Sequence, residues 1–110
     1  MTSSPATGRP GANAYRGECA IHIDGREVTL RPTFDALVRA EAELGSLFAL
    51  VERAGEGKLR LTDIATLFWF CLEQADAPSR EEVGEAVVAM GLAEAAKPLK
   101  LLLGQILRGR

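Results

Sequence analysis

Two pairs of side chains in this sequence are of the types that do chemistry: His22 with Glu27, and Cys19 with Cys71. An imidazole oriented by a carboxylate is the beginning of a general base, but it also needs a nucleophile or a substrate proton within reach. The alternating pattern around His22 puts Glu27 opposite it on a wet strand face, where a solvated charge pair looks the same. The cysteines are far apart, lack CxxC spacing and share the chain with a single histidine. They fall short of the ligands that a structural zinc site requires. Asp35, Glu41, Glu43, Glu52, Glu81, Glu82 and Glu85 are numerous enough to suggest a cation cluster. Several of them fall in first helical turns, where they favour the positive end of the helix dipole, and no calcium-loop spacing occurs. Gly55-Glu56-Gly57-Lys58 lacks phosphate-loop spacing and follows no strand. The sequence therefore predicts no catalytic residue, no metal site and no cofactor, and a protein that is not an enzyme.

The elements that position these residues follow from periodicity. Residues 16–31 alternate, meet Asp24-Gly25, and alternate again until Pro32. Asp-Gly between alternating runs marks a two-residue type I′ turn, which needs positive φ at both positions. That loop pairs Ile23 with Arg26, His22 with Glu27, Ile21 with Val28, Ala20 with Thr29, Cys19 with Leu30 and Glu18 with Arg31. Cys19, Ile21, Val28 and Leu30 then form an apolar face, and His22/Glu27 and Glu18/Arg31 are charge pairs on the other. A lone hairpin is marginal in water. Its apolar face must pack on helices, or its strand edge must add to a second copy.

Helical patterns follow. Thr33 is placed to cap a helix with Phe34, Leu37, Val38, Glu41 and Leu44 along one side and Gly45 at its C′ position. Ser46 caps a short helix presenting Leu47, Leu50, Val51 and Ala54, and residues 55–58 are a loop. A third helix opens at Thr62 and runs to about Gln74, with Ile64, Leu67, Phe68, Cys71, Leu72 and Ala75 as its stripe. Trp69 and Phe70 flank that stripe, leaving only Thr66 and Glu73 clearly outward. A helix so apolar in girth is sandwiched, so this one is predicted to be central. Asp76-Ala77-Pro78 ends it. Ser79-Arg80-Glu81-Glu82 is a capping box for a fourth helix that buries Val83, Ala86, Val87 and Met90 and stops at Gly91. The fifth begins near Leu92, is interrupted or restarted at Pro98, and shows Leu99, Leu102, Leu103 and Ile106. Leu101 points the other way, alongside Arg108. The predicted fold class is α+β: an N-terminal antiparallel β-hairpin packed on a compact bundle of about five helices.

The chain of 110 residues is 47% hydrophobic and 25% charged, with aromatics at only 5%, so Ala, Leu and Val must build the interior. Residues 1–15, rich in Ser, Pro, Gly and Ala, read as a disordered arm, and residues 16–110 as a single domain. The net charge of −2 is unevenly spread: residues 32–91 carry five basic and eleven acidic groups, and residues 92–110 four basic and one acidic. An acidic body argues against nucleic-acid binding, which needs a basic stripe to displace phosphate counterions. A helix-turn-helix reading of 62–91 fails similarly, since Glu81, Glu82 and Glu85 would face phosphate with Arg80 the only base. No leader pattern and no run of membrane-spanning length is evident, and the cysteines sit on apolar stripes as small hydrophobes. A reduced, cytoplasmic protein without membrane contact is expected. Its partner surface is sought at Trp69, Phe70 and Leu101, the apolar side chains that flank or leave the core stripes.

Gly17, Glu18, Asp24, Gly25, Arg26, Leu30, Arg31, Pro32, Thr33, Phe34, Ala36 and Leu37, followed by an acidic helix ending in Leu44-Gly45, form a recognisable pattern. With Leu61-Thr62-Asp63-Ile64 and Arg80-Glu81-Glu82-Val83-Gly84-Glu85-Ala86, it resembles the small tail-assembly chaperone-like proteins of gene transfer agents and related tailed phages. The resemblance spans roughly residues 15–107, and carries no catalytic signature. It implies a protein that holds tape-measure or tail-tube proteins during tail assembly by occupying apolar helical surface. A structural tail component retained in the particle is the nearest alternative, and a small transcriptional regulator belongs to a different class.

Overall fold

Asp24 and Gly25 set the register of everything before the helices. The structure, a computed structural model, describes residues 19–72 and 78–108. Strands β1 (Cys19–Ile23) and β2 (Arg26–Leu30) pair antiparallel from Cys19↔Leu30 to Ile23↔Arg26, with His22 opposite Glu27 as the turn chemistry requires. Asp24 and Gly25 both have positive φ, 52° and 75°, the signature of a type I′ turn. Cys19, Ile21, Ile23, Val28 and Leu30 are buried, while His22 is exposed on the other face. The expected Glu18/Arg31 pair and the arm of residues 1–15 lie outside the described residues.

Helix α1 (Phe34–Leu44) starts as predicted, with Thr33 Oγ1 accepting from the Ala36 N–H at 3.1 Å. It ends at Gly45, whose φ is 85° and whose N–H donates to the Glu41 carbonyl. Its buried side differs from the predicted stripe. Phe34 is 85% exposed and Val38 46%, whereas Ala36 and Ala40 are buried and Leu37 and Leu44 half-buried. α1 lies against α3, and small side chains let two helices approach closely. The core side of α1 is thus marked by Ala40, with Leu37 and Leu44 of the predicted stripe packed beside it, rather than by Phe34 and Val38. The Glu41 carboxylate, also assigned to that stripe, instead accepts from the Leu47 N–H at 3.1 Å and caps the next helix. That helix, α2 (Leu47–Gly55), is also capped by Ser46 and buries Leu47 and Leu50.

Helix α3 (Leu61–Phe70) is the central one, buried at every position from Ile64 to Phe68 and packed on both α1 and α4. Asp63 fixes its start, accepting from the Arg60 N–H at 3.0 Å and from the Arg53 guanidinium at 3.2 Å. Two expectations are corrected here. Thr66 is not outward: it is 6% exposed, because α4 covers that side. The helix also ends at Phe70, short of Gln74. The Cys71 carbonyl accepts from the Arg31 N–H at 2.7 Å, and Leu72 bridges Leu30 in antiparallel sense. The chain after β2 presents unpaired backbone groups, and residues 71–72 satisfy them by leaving the helix. Glu73, Gln74, Ala75 and Asp76-Ala77 lie outside the described residues.

Helix α4 (Arg80–Met90) has the predicted capping box: Glu82 N–H donates to Ser79 Oγ at 3.1 Å and Ser79 N–H to Glu82 Oε1 at 2.8 Å. It buries Val83 and Val87 and stops at Gly91, where φ is 89°. Helix α5 (Leu92–Arg108) is continuous through Pro98, which corrects the expected interruption. Pro98 offers no N–H to the Glu94 carbonyl. Ala95 before it and Leu99, Leu102 and Leu103 after it are nonetheless buried in one core, so packing on both sides of the proline holds the helix together. The fold is therefore α+β: the hairpin lies with β1 against α4 and α5, and the five helices close the core over it.

Candidate partner-binding site

Trp69 and Phe70 end α3, where α1 and the start of α4 converge on it. Both are half-buried, and their rings meet edge to face with centroids 5.0 Å apart. The Arg80 guanidinium lies 4.5 Å from the Trp69 ring centroid and 5.3 Å from that of Phe70, and Arg39 lies 5.8 Å from Phe70. Arg80 is further held by an ion pair with Glu43 of α1. Trp69 Nε1 donates to the Pro78 carbonyl at 3.1 Å, satisfying the polar atom of the indole. The aromatic pair thus ties α1, α3 and α4 together and keeps part of its surface open behind two arginines.

Arg80 also lines a groove between α3 and α4, so the aromatic pair and the groove are continuous. Leu61, Thr62, Ala65 and Thr66 form one wall, and Gly84 and Val88 the other, around a volume of about 580 Å³. On α4 the positions Glu81, Gly84, Glu85 and Val88 recur at i, i+3, i+4 and i+7, which puts them on one side of the helix. A Cβ on Gly84 would stand 3.9 Å from the Ala65 Cβ, so two small residues make the floor. Leu61 and Val88 are exposed at the margins, 41% and 62%. Glu81 and Glu85 make no ion pair among the described residues. The result is an apolar trough with an acidic rim, the kind of surface that an amphipathic helix recognises. Sequence reasoning missed it, having placed Glu81 and Glu85 on a solvated acidic face. The available signal was Val88, an apolar residue off the α4 stripe, one turn beyond Gly84 and Glu85.

Leu101 is 43% exposed on α5, a helix that packs on α4 and β1, so it is not brought together with Trp69 and Phe70. Phe34, Phe48 and Leu107 are further exposed apolar side chains on α1, α2 and α5. His22 lies beside Asp24 and Glu82 in a shallow depression between the hairpin turn and α4. Among the described residues no three His, Cys, Asp or Glu side chains converge to hold a metal ion, and no helix is long and apolar enough to cross a membrane. Cys19 and Cys71 are free thiols, both buried, and burial pushes the Cys19 thiol up to about 11.

No curated protein and no solved structure matches this chain. A family model described as phage tail tube protein, GTA-gp10, matches residues 16–109, which takes in the hairpin, all five helices and the groove. The chain therefore belongs to this family of phage tail proteins from the gene transfer agent group.

Proposed function

We propose that the protein is a non-catalytic tail-assembly chaperone that binds the tape-measure protein, the tail-tube protein, or both, while the tail is built. The observation that carries this reading is the trough between α3 and α4, an apolar surface that the chain's own helices leave unfilled. A client helix laid along Leu61, Ala65, Gly84 and Val88 would bury its apolar side without any nucleotide, metal or covalent step. Trp69 and Phe70 extend that surface behind Arg80, and aromatic and arginine side chains are those that most often dominate such contacts. Membership of a phage tail family supports tail proteins as the partners. It also supports a second reading, a structural component that remains in the tail, because the family description names the tail tube itself.

Capture assays with purified tape-measure and tail-tube proteins at low and moderate salt test the proposal. An apolar contact survives the change, whereas phosphate contacts weaken steeply over the same range. Salt-resistant capture of either protein, reduced about tenfold or more by Val88→Glu, is expected, since a charge on an apolar contact costs more than 1.4 kcal/mol. Tight, salt-sensitive retention on duplex DNA with neither tail protein captured would sink the reading in favour of a regulator. Finding the protein in purified particles at tail-subunit stoichiometry would replace chaperoning by the structural role.

A further inference from the structure

We infer that the α3–α4 groove is a self-recognition site as well: without a tail partner, it takes the outward face of α5 from a second copy of the chain. Two surfaces carry this. The groove is apolar at Leu61, Ala65 and Val88, small at Gly84, and acidic at Glu81 and Glu85, while the cation that lines it, Arg80, is already paired with Glu43. The outward face of α5 is its chemical complement. Lys97, Lys100, Leu101, Gly104, Leu107 and Arg108 fall within about one third of the helix circumference at 100° per residue, and all but the half-buried Gly104 are exposed. Lys97 is paired with Glu94, so Lys100 and Arg108 carry the positive charge of this face. Gly84 keeps the middle of the groove low. On α5 the Arg108 guanidinium lies over Gly104, 3.1 Å from where a Cβ would stand, so that flexible side chain swings aside as the two helices come close. Lys100 makes no ion pair among the described residues, as Glu81 and Glu85 make none.

The same chain cannot make the contact with itself, because no residue of α5 lines the groove and α5 is already packed on α4 and β1 by its buried face. Opposite charges on two surfaces of one molecule therefore attract between copies. With a net charge of only −2, overall repulsion does little to oppose association. The contact joins unlike patches, so it closes as a dimer through two reciprocal contacts or as a ring, and otherwise extends in series. In each case an apolar groove that would be exposed in the free protein is covered until a tail protein competes for it. The inference stands on the geometry and charge of this chain, not on which tail protein is the client, and its test uses the chain alone.

Sedimentation velocity of the full chain over a range of concentrations measures the association. Glu85→Lys and Lys100→Glu each place like charges across the contact. Each is expected to weaken association about tenfold or more, in the range of coupling seen between contacting charges. The double variant Glu85→Lys/Lys100→Glu swaps the charges and is expected to recover most of that loss. Because both positions are exposed on helices, far-UV circular dichroism should show unchanged folding, and Lys100→Ala serves as a milder variant if Lys100→Glu unfolds. A chain that stays monomeric to several hundred micromolar overturns the inference. Association that ignores both single variants, or that the double variant fails to restore, also overturns it and moves self-association to the hairpin edge.

Discussion

At Asp24-Gly25 one dipeptide decides a register. A one-residue slip would send Ile21, Val28 and Leu30 to the solvent face, and the turn prevents it by holding both residues at positive φ. A Cβ at Gly25 would meet nothing within 4 Å, so the cost of replacing it lies in the backbone alone. Gly25→Val is expected to destabilise the protein by about 1–3 kcal/mol in thermal or urea unfolding; an unchanged melting curve would contradict the turn. Cys19 is the residue where burial has a pH consequence. Desolvation raises its thiol from 9.0 to about 11, so the folded state favours the neutral form that the unfolded chain gives up earlier. The stability this carries is fully present below pH 9.0 and is lost as pH rises through about 11. Between those values the melting temperature of the unmodified chain should fall more steeply than that of Cys19→Ala, whereas parallel curves would show that the site is wetter than its burial implies.

Helix α1 shows why size and burial part company at the scale of an element. Its large apolar residues Phe34 and Val38 are exposed, while the small Ala40 is fully buried in the shared core, on a helix that lies against α3. Ala40→Leu should overpack that core and cost about 1–3 kcal/mol, while Phe34→Ser should change stability by no more than about 0.5 kcal/mol. The reverse order in a denaturant series would restore the larger stripe as the buried one. The same contrast separates what the sequence makes legible from what it does not. The hairpin register, the Thr33, Ser46 and Ser79 caps and the stops at Gly45 and Gly91 were readable, because each is decided by residues within one turn of it. The rotation of α1, the end of α3 at Phe70, the burial of Thr66 and the continuity of α5 through Pro98 were not. Each depends on what a distant segment presents: β2 to residues 71–72, α4 to Thr66, the core to both sides of Pro98. The groove belongs to that second group. Its walls come from two different helices, and Val88 off the α4 stripe is the only local sign of the space between them.

Across the whole molecule the hairpin and helices share one core, in which Ile21, Val28 and Leu30 of the strands are packed with Leu50 of α2, Phe68 of α3, Val87 of α4 and Leu102 of α5. β1 packs on α4 and α5, and the segment after α3 is bonded back to β2. No subset of elements therefore has a core of its own, and a hairpin stripped of the helices would be unstable. Loss of any one element should expose the core of all the others. Unfolding is accordingly expected to be a single transition, as for most domains of this size. Trp69 is a built-in probe of this, since its ring reports on the junction of α1, α3 and α4, far in sequence from the strands. Its fluorescence and far-UV circular dichroism should give the same midpoint in urea, and amide protons of β1 and β2 should exchange only with that global opening. Leu30→Ala, which removes a fully buried side chain from β2, should shift both optical midpoints together and cost about 2–5 kcal/mol. If the strand amides exchange freely while Trp69 fluorescence stays native, the hairpin is a separable appendage, and its edge becomes the stronger candidate for contact between copies.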